Sequence, residues 1–153
     1  MGWDYQLDNR GANYRRTTFA WRMYYRIVNN TNNIIVNIDD AVGDNVHKQN
    51  IKAMALTLRA FAYFNLVERF QSAYAVNPEA PGVPIYLEPT MEGGPRAPLS
   101  AVYQQINQDL DAAIGLFEQF PMNRIHISHP NVNVAHGIKA RVAQAMGNHP
   151  MAA

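Results

Sequence analysis

Between Ala53 and Phe70 the sequence reads AMALTLRAFAYFNLVERF, and few folds can accommodate such a stretch. At 3.6 residues per turn, Leu56, Ala60, Tyr63, Val67 and Phe70 fall along one side of a helix, and Ala55, Leu58, Ala62 and Leu66 form an adjoining stripe. Phe61 and Phe64 take most of what remains, so only Thr57, Arg59, Asn65, Glu68 and Arg69 interrupt the apolar surface. A helix this apolar must be covered on two or more sides. Its charges and its length exclude a bilayer span, so the cover has to come from other helices. The alanines at 53, 55, 60 and 62 let those neighbours approach closely.

The flanking sequence supplies the neighbours. Residues 1–13, MGWDYQLDNRGAN, lack helical periodicity and read as loop. From Tyr14, the residues Thr18, Trp21, Tyr25, Val28, Ile34, Ile35 and Ile38 recur at three- and four-residue steps and predict an amphipathic helix to about Asp39. The polar run Asn29 to Asn33 predicts a bend within it, because Asn and Thr are poor helix formers. Asp40 to Asp44, with Gly43, predicts a turn, and Asp44 or Asn45 a cap for the helix from about Val46 to Phe70.

Residues 71–98 hold six of the nine prolines, which excludes continuous helix and predicts an ordered, extended excursion. A third helix follows, with Ser100 as candidate cap, Val102, Ile106, Leu110, Ile114 and Phe117 on its packed face, and Pro121 at its end. A fourth runs from about Val132 to Met146 and stops at Gly147. The expected fold is all-α: antiparallel helical hairpins stacked as tetratricopeptide-like repeats, hairpin one over 14–70, a long Pro-rich loop over 71–98 and hairpin two over 99–147.

Composition narrows the chemistry. The 153 residues carry a net charge of +1 and no cysteine, which removes disulfides, thiolate metal sites and thiol catalysis. His126, His129 and His136 are close in sequence, but no acidic residue follows Glu118 and no HExxH spacing exists, so no metal site is expected. Ser72, Ser100 and Ser128 lie in no nucleophile motif, and Asp109 and Asp111, two apart on a helix, point to different sides. Asp109 is instead expected to make a structural hydrogen bond at a helix contact. No enzyme and no cofactor are expected.

Arginines 10, 15, 16, 22 and 26 alternate with Tyr14, Phe19, Trp21, Tyr24 and Tyr25 in the manner of a single-strand nucleic-acid platform. Core spacing accounts for Trp21, Tyr25 and Val28, and the overall charge leaves no footprint for nucleic acid, so none is expected as partner. Trp3 and Tyr5 offer flat faces, and Asp8, Asn9 and Arg10 offer planar hydrogen-bonding groups suited to vicinal sugar hydroxyls, which makes them the candidate ligand residues. The competing reading of that segment is a frayed terminus. Tyr74, Tyr86 and Arg96 in the Pro-rich loop are either scaffold or part of a partner surface.

Several segments also carry a family resemblance: Leu58-Arg59-Ala60-Phe61-Ala62-Tyr63-Phe64-Asn65-Leu66-Val67, then Phe70, Gly82-Val83-Pro84-Ile85 and Arg96, and finally Val102-Tyr103-Gln104-Gln105-Ile106 with Asp109-Leu110 and Ala112-Ala113-Ile114. In this order and spacing the set resembles the SusD/RagB family of Bacteroidetes outer-membrane lipoproteins. That resemblance implies a core of irregular tetratricopeptide-like repeats and non-catalytic binding of an oligosaccharide or other nutrient. It also implies partnership with a TonB-dependent outer-membrane transporter, to which the repeats contribute much of the contact. Localisation would be the cell surface, with the membrane reached only through a lipid anchor on a cysteine that this sequence does not contain. Family members are several times longer, so the chain is expected to be a fragment of the N-terminal helical-repeat part. The alternative function is a tetratricopeptide-like adaptor that grips another protein's helix or tail.

Overall fold

The computed structural model describes residues 14–148, which form an all-α fold. Its four helices are α1 (Arg15–Asn37), α2 (Asn45–Phe70), α3 (Leu99–Gln119) and α4 (Val132–Ala145). Cross-helix hydrogen bonds fix their directions. The Tyr24 hydroxyl of α1 meets Asn65 of α2 and Arg59 meets Asn32, so one index rises as the other falls. The pairs Asn50–Phe120, Arg59–Asp109 and Glu68–Tyr103 make α2 and α3 antiparallel as well, and Asp111–Lys139 with Asn107–Met146 does the same for α3 and α4.

Helix α2 is the inner element, packed by α1 on one side and α3 on the other. Ala53, Ala60, Ala62, Tyr63 and Leu66 are fully enclosed, and Val67, Phe64 and Leu56 nearly so. From α3, Leu99, Val102, Ile106, Leu110 and Ala113 close the far side. Each large aliphatic or aromatic side chain in this layer contributes roughly 1.5–3 kcal/mol by leaving water, so the contact with both neighbours dominates the stability of α2. The start of α2 follows a turn in which Gly43 takes φ +153°, a conformation that L side chains rarely adopt. Asp44 then caps the helix, its Oδ2 accepting the His47 N–H at 3.0 Å. At the far end of the fold, α4 closes in a Schellman motif: Gly147 at φ +76° and the bonds Asn148 N–H to Ala143 O and Gly147 N–H to Gln144 O.

Three sequence expectations are corrected. Helix α1 runs without a break through Asn29 to Asn33. Thr31 is buried and turns its hydroxyl back to the carbonyls of Ile27 and Val28, and Asn32 is enclosed and fully used by tertiary partners, so long-range bonds override weak helix propensity. On α2 the polar stripe is rotated: Leu58 is 39% exposed, whereas Thr57 and Arg59 are buried, because Arg59 has an acidic partner on α3. Ser100 does not cap α3, which has no side-chain cap. Its backbone N–H instead donates to Pro78 O at 2.7 Å, tying the helix start to the preceding connection.

The 71–98 connection lies along α1, α2 and the start of α3. Its two ends meet where Gly82 N–H donates to Ala97 O at 2.6 Å and Ala97 N–H to Val83 O at 3.3 Å. Gly82 is required at that crossing: a Cβ there would stand 2.8 Å from Ala97 O and 3.0 Å from Val102 Cγ2. Val83 is fully enclosed, and the Gln71 amide donates to Gly82 O at 3.0 Å.

Candidate functional site

A depression lies between α1 and the second half of this connection. On α1, Trp21 and Tyr25 are one turn apart, with ring centres 4.8 Å apart and planes at 50°. Phe70, at the end of α2, meets Trp21 edge-on at 5.1 Å, and Tyr86 of the connection meets Tyr25 edge-on at 5.7 Å. Such tilted and edge-to-face pairs are favoured by the ring quadrupoles. The result is a fixed aromatic floor. Its opening, about 670 Å³, is walled by Arg22, Arg26, Asn29 and Asn30 from α1 and by Pro84, Thr90, Met91, Glu92 and Gly93 opposite. That size falls within the usual range for a small-molecule site.

Hydrogen bonds hold both walls in register. The Tyr25 hydroxyl donates to Pro84 O at 2.8 Å, and Thr90 N–H donates to Asn29 Oδ1 at 2.9 Å. The Thr90 hydroxyl accepts the Glu92 N–H at 3.1 Å, and the Tyr86 hydroxyl accepts the Gly94 N–H at 2.6 Å. Burial pushes the Tyr25 phenol far above its ordinary pKa, with Tyr63 and Tyr86 adding to the shift and the Arg96 charge opposing it. Tyr25 therefore serves here as a neutral hydrogen-bond donor and a stacking face.

Beneath the floor lies a buried polar hub. The Arg59 guanidinium donates from Nε to Asp109 Oδ2 at 2.8 Å, from Nη2 to Asp109 Oδ1 at 2.6 Å and from Nη1 to Asn32 Oδ1 at 2.9 Å. Asn32 passes the constraint on, its amide donating to Tyr86 O at 2.9 Å and Glu88 O at 3.1 Å. Tyr63 grips the same peptide twice: its hydroxyl donates to Tyr86 O at 2.9 Å and accepts Tyr86 N–H at 2.7 Å. Burial raises the Tyr63 pKa to about 12. One chain of charge-assisted and neutral bonds thus runs from α3 through α2 and α1 into the wall of the groove.

The comparisons with known proteins agree on one lineage. A family model of SusD-like proteins, described as starch-binding associating with outer membrane, matches residues 3–143. The chain belongs to the SusD-like family. A SusD-like carbohydrate binding protein from Bacteroides vulgatus ATCC 8482 is 32% identical, with a TM-score of 0.82, and the match covers 88% of this chain and 29% of that one. A SusD superfamily protein from Bacteroides thetaiotaomicron VPI-5482 is 28% identical with a TM-score of 0.76, covering 86% and 29%. A laminarin binding SusD-like protein is 27% identical with a TM-score of 0.71, covering 87% and 27%. The chain therefore spans under a third of the length of these relatives. No curated protein matches it.

In this SusD-like chain, the segment that carried the resemblance also supports the groove, since Arg59 and Tyr63 both belong to it. Tyr86 and Arg96 come together around the Tyr25 phenol, Tyr86 half-buried and Arg96 exposed. Tyr74 packs elsewhere, edge-on to Tyr103 of α3 at 4.8 Å. Trp3, Tyr5, Asp8, Asn9 and Arg10 lie outside the described residues. Sequence reasoning missed Trp21, Arg22, Tyr25, Arg26 and Asn29 as site residues because it credited the two aromatics wholly to the core. The available signal was the paired four-residue spacing, Trp21 with Tyr25 and Arg22 with Arg26, which sets an aromatic edge beside a cationic one. Among the described residues no helix is long and apolar enough to cross a membrane.

Proposed function

We propose that this chain is the helical part of a non-catalytic glycan receptor and that the groove between α1 and residues 84–93 contacts the sugar. One observation carries the reading: in a chain of the SusD-like family, an open groove of about 670 Å³ presents a rigid Trp21–Tyr25–Tyr86 floor beside amides, guanidinia and one carboxylate. Aromatic faces stack on the apolar faces of pyranose rings, and planar polar groups take vicinal hydroxyls in pairs. The segment with Trp3, Tyr5, Asp8, Asn9 and Arg10 adds a second set of such groups. The receptor works at the bacterial outer membrane as a surface lipoprotein, handing its ligand to a TonB-dependent transporter. Of Tyr74, Tyr86 and Arg96, the partner-facing candidates of the connection, Tyr86 is given to the groove floor and Tyr74 and Arg96 are left to reach that partner. The family's description as associating with the outer membrane supports the location.

Titrating the protein with laminari- and malto-oligosaccharides while following tryptophan emission tests the reading. Trp21→Ala should weaken binding by about tenfold, the value of one good stacking contact, while Trp21→Phe keeps most of it and both variants retain the native far-UV spectrum. Trp3→Ala reports separately on the N-terminal segment. Saturable binding that Trp21→Ala leaves unchanged would remove the groove from the site, and no binding to any glycan would remove the function.

A further inference from the structure

The groove has an electrostatic character that a neutral sugar would leave unused. Over Arg15–Asn37, α1 contains four arginines, at 15, 16, 22 and 26, and no Asp, Glu or Lys. All four are exposed, and among the described residues the ion pairs involve no arginine other than Arg59. A carboxylate three or four positions away would pair with an exposed helical arginine, and α1 provides none. With the whole chain at +1, this is a local concentration of positive charge rather than a property of the molecule.

Two of these arginines are placed to use that charge. Arg22 and Arg26 are one turn apart, about 6 Å along the axis, and both line the groove beside the aromatic floor. They also line a second depression, of about 650 Å³, that carries the 66% exposed Phe19, so a ridge of guanidinium groups separates two ligand-sized hollows. A guanidinium fork matches the geometry of a carboxylate or sulfate and keeps its charge at every physiological pH. Low-dielectric aromatic walls concentrate the field between them.

We infer that the groove takes an acidic glycan, one that carries carboxylate or sulfate groups, with Arg22 and Arg26 as its anion-binding pair. The inference rests on the glycan reading above and names the ligand class. Glu92 on the facing wall accepts bonds from sugar hydroxyls and repels anionic groups, so the ligand's charges fall on the α1 side, against Arg22 and Arg26, and its hydroxyls on the other.

Binding of the intact chain to oligogalacturonides, to sulfated galactan oligosaccharides and to neutral laminari-oligosaccharides of matched length, measured by calorimetry at low and high salt, provides the test. At least one acidic series should bind about tenfold tighter than the neutral one. The two acidic arms tell carboxylate from sulfate. Arg22→Gln/Arg26→Gln should abolish the preference and its salt dependence, lowering acidic-sugar affinity far more than neutral-sugar affinity, while the far-UV spectrum stays in place. Equal or tighter binding of the neutral series, or a preference that survives in the double variant, overturns the inference and leaves the glycan reading standing. Tighter binding of a single-stranded oligonucleotide than of any acidic sugar also overturns it. Absence of binding to all three glycan series removes both.

Discussion

Replacing Arg59 by Met tests whether the buried hub organises the three inner helices. In the native chain the Arg59 and Asp109 side chains are 7% and 3% exposed, and two of the three Arg59 bonds form a bidentate pair with the carboxylate. Arg59→Met removes the guanidinium but keeps a stem of similar length, so the loss is electrostatic rather than a cavity. Asp109 then retains only the Gln105 amide at 2.9 Å, and Asn32 Oδ1 loses its donor. Stranding one partner of a buried pair costs about 3–5 kcal/mol, and for a chain of this size that lowers Tm by about 9–15 °C. The companion change Arg59→Met/Asp109→Leu replaces the pair by apolar groups and should recover most of the loss, because the stranded charge and not the missing attraction is the larger cost. Urea unfolding followed by far-UV circular dichroism measures the stabilities of the native chain, of Arg59→Met and Asp109→Leu, and of the double variant. The reasoning fails if Arg59→Met costs less than about 1 kcal/mol, as an exposed pair would, or if the double variant loses the sum of the two single changes. Should Arg59→Met not fold, folding of the double variant still decides the matter.

Tyr63→Phe keeps the ring packed but leaves the Tyr86 N–H and one acceptor position of Tyr86 O without their partner. It should cost about 1–3 kcal/mol by urea unfolding and weaken glycan binding through the wall that Tyr86 holds. Gly82→Ala places a methyl group against the Ala97 carbonyl and the Leu99 backbone, neither of which can rotate away. The expected loss is about 1–3 kcal/mol, whereas Gly137→Ala, with open space around it, should be neutral or stabilising in the same melt. Burial raises the phenols of Tyr25, Tyr63 and Tyr103, Tyr63 to about 12. A raised folded pKa means that their contribution is fully present below about pH 10 and is lost as pH rises through the folded values. Stability should therefore be flat to about pH 10 and then fall, and phenolate absorbance should show these three of the eight tyrosines ionising only with unfolding.

The sequence by itself determined the helices and the identity of the inner one. Alanine-rich, apolar Ala53 to Phe70 has one low-energy solution in water, a helix enclosed by other helices, and periodicity marked its neighbours. Those signals are local, set by side chains three and four residues apart. The ordered motif set also made the family legible, since it records residues rather than contacts. What the tertiary structure alone decided is where polarity goes inside. Arg59 and Asn32 read as interruptions of two helices, and only the approach of Asp109 on α3 and of the Tyr86 and Glu88 carbonyls turns them into a buried hub. The groove has the same origin. Trp21 and Tyr25 have core spacing, yet they are floor rather than core because Tyr86 arrives from more than sixty residues away and covers one side only. Burying a charge or shaping a hollow depends on what a distant segment brings to the place, and hydrophobic spacing along a single helix cannot encode that.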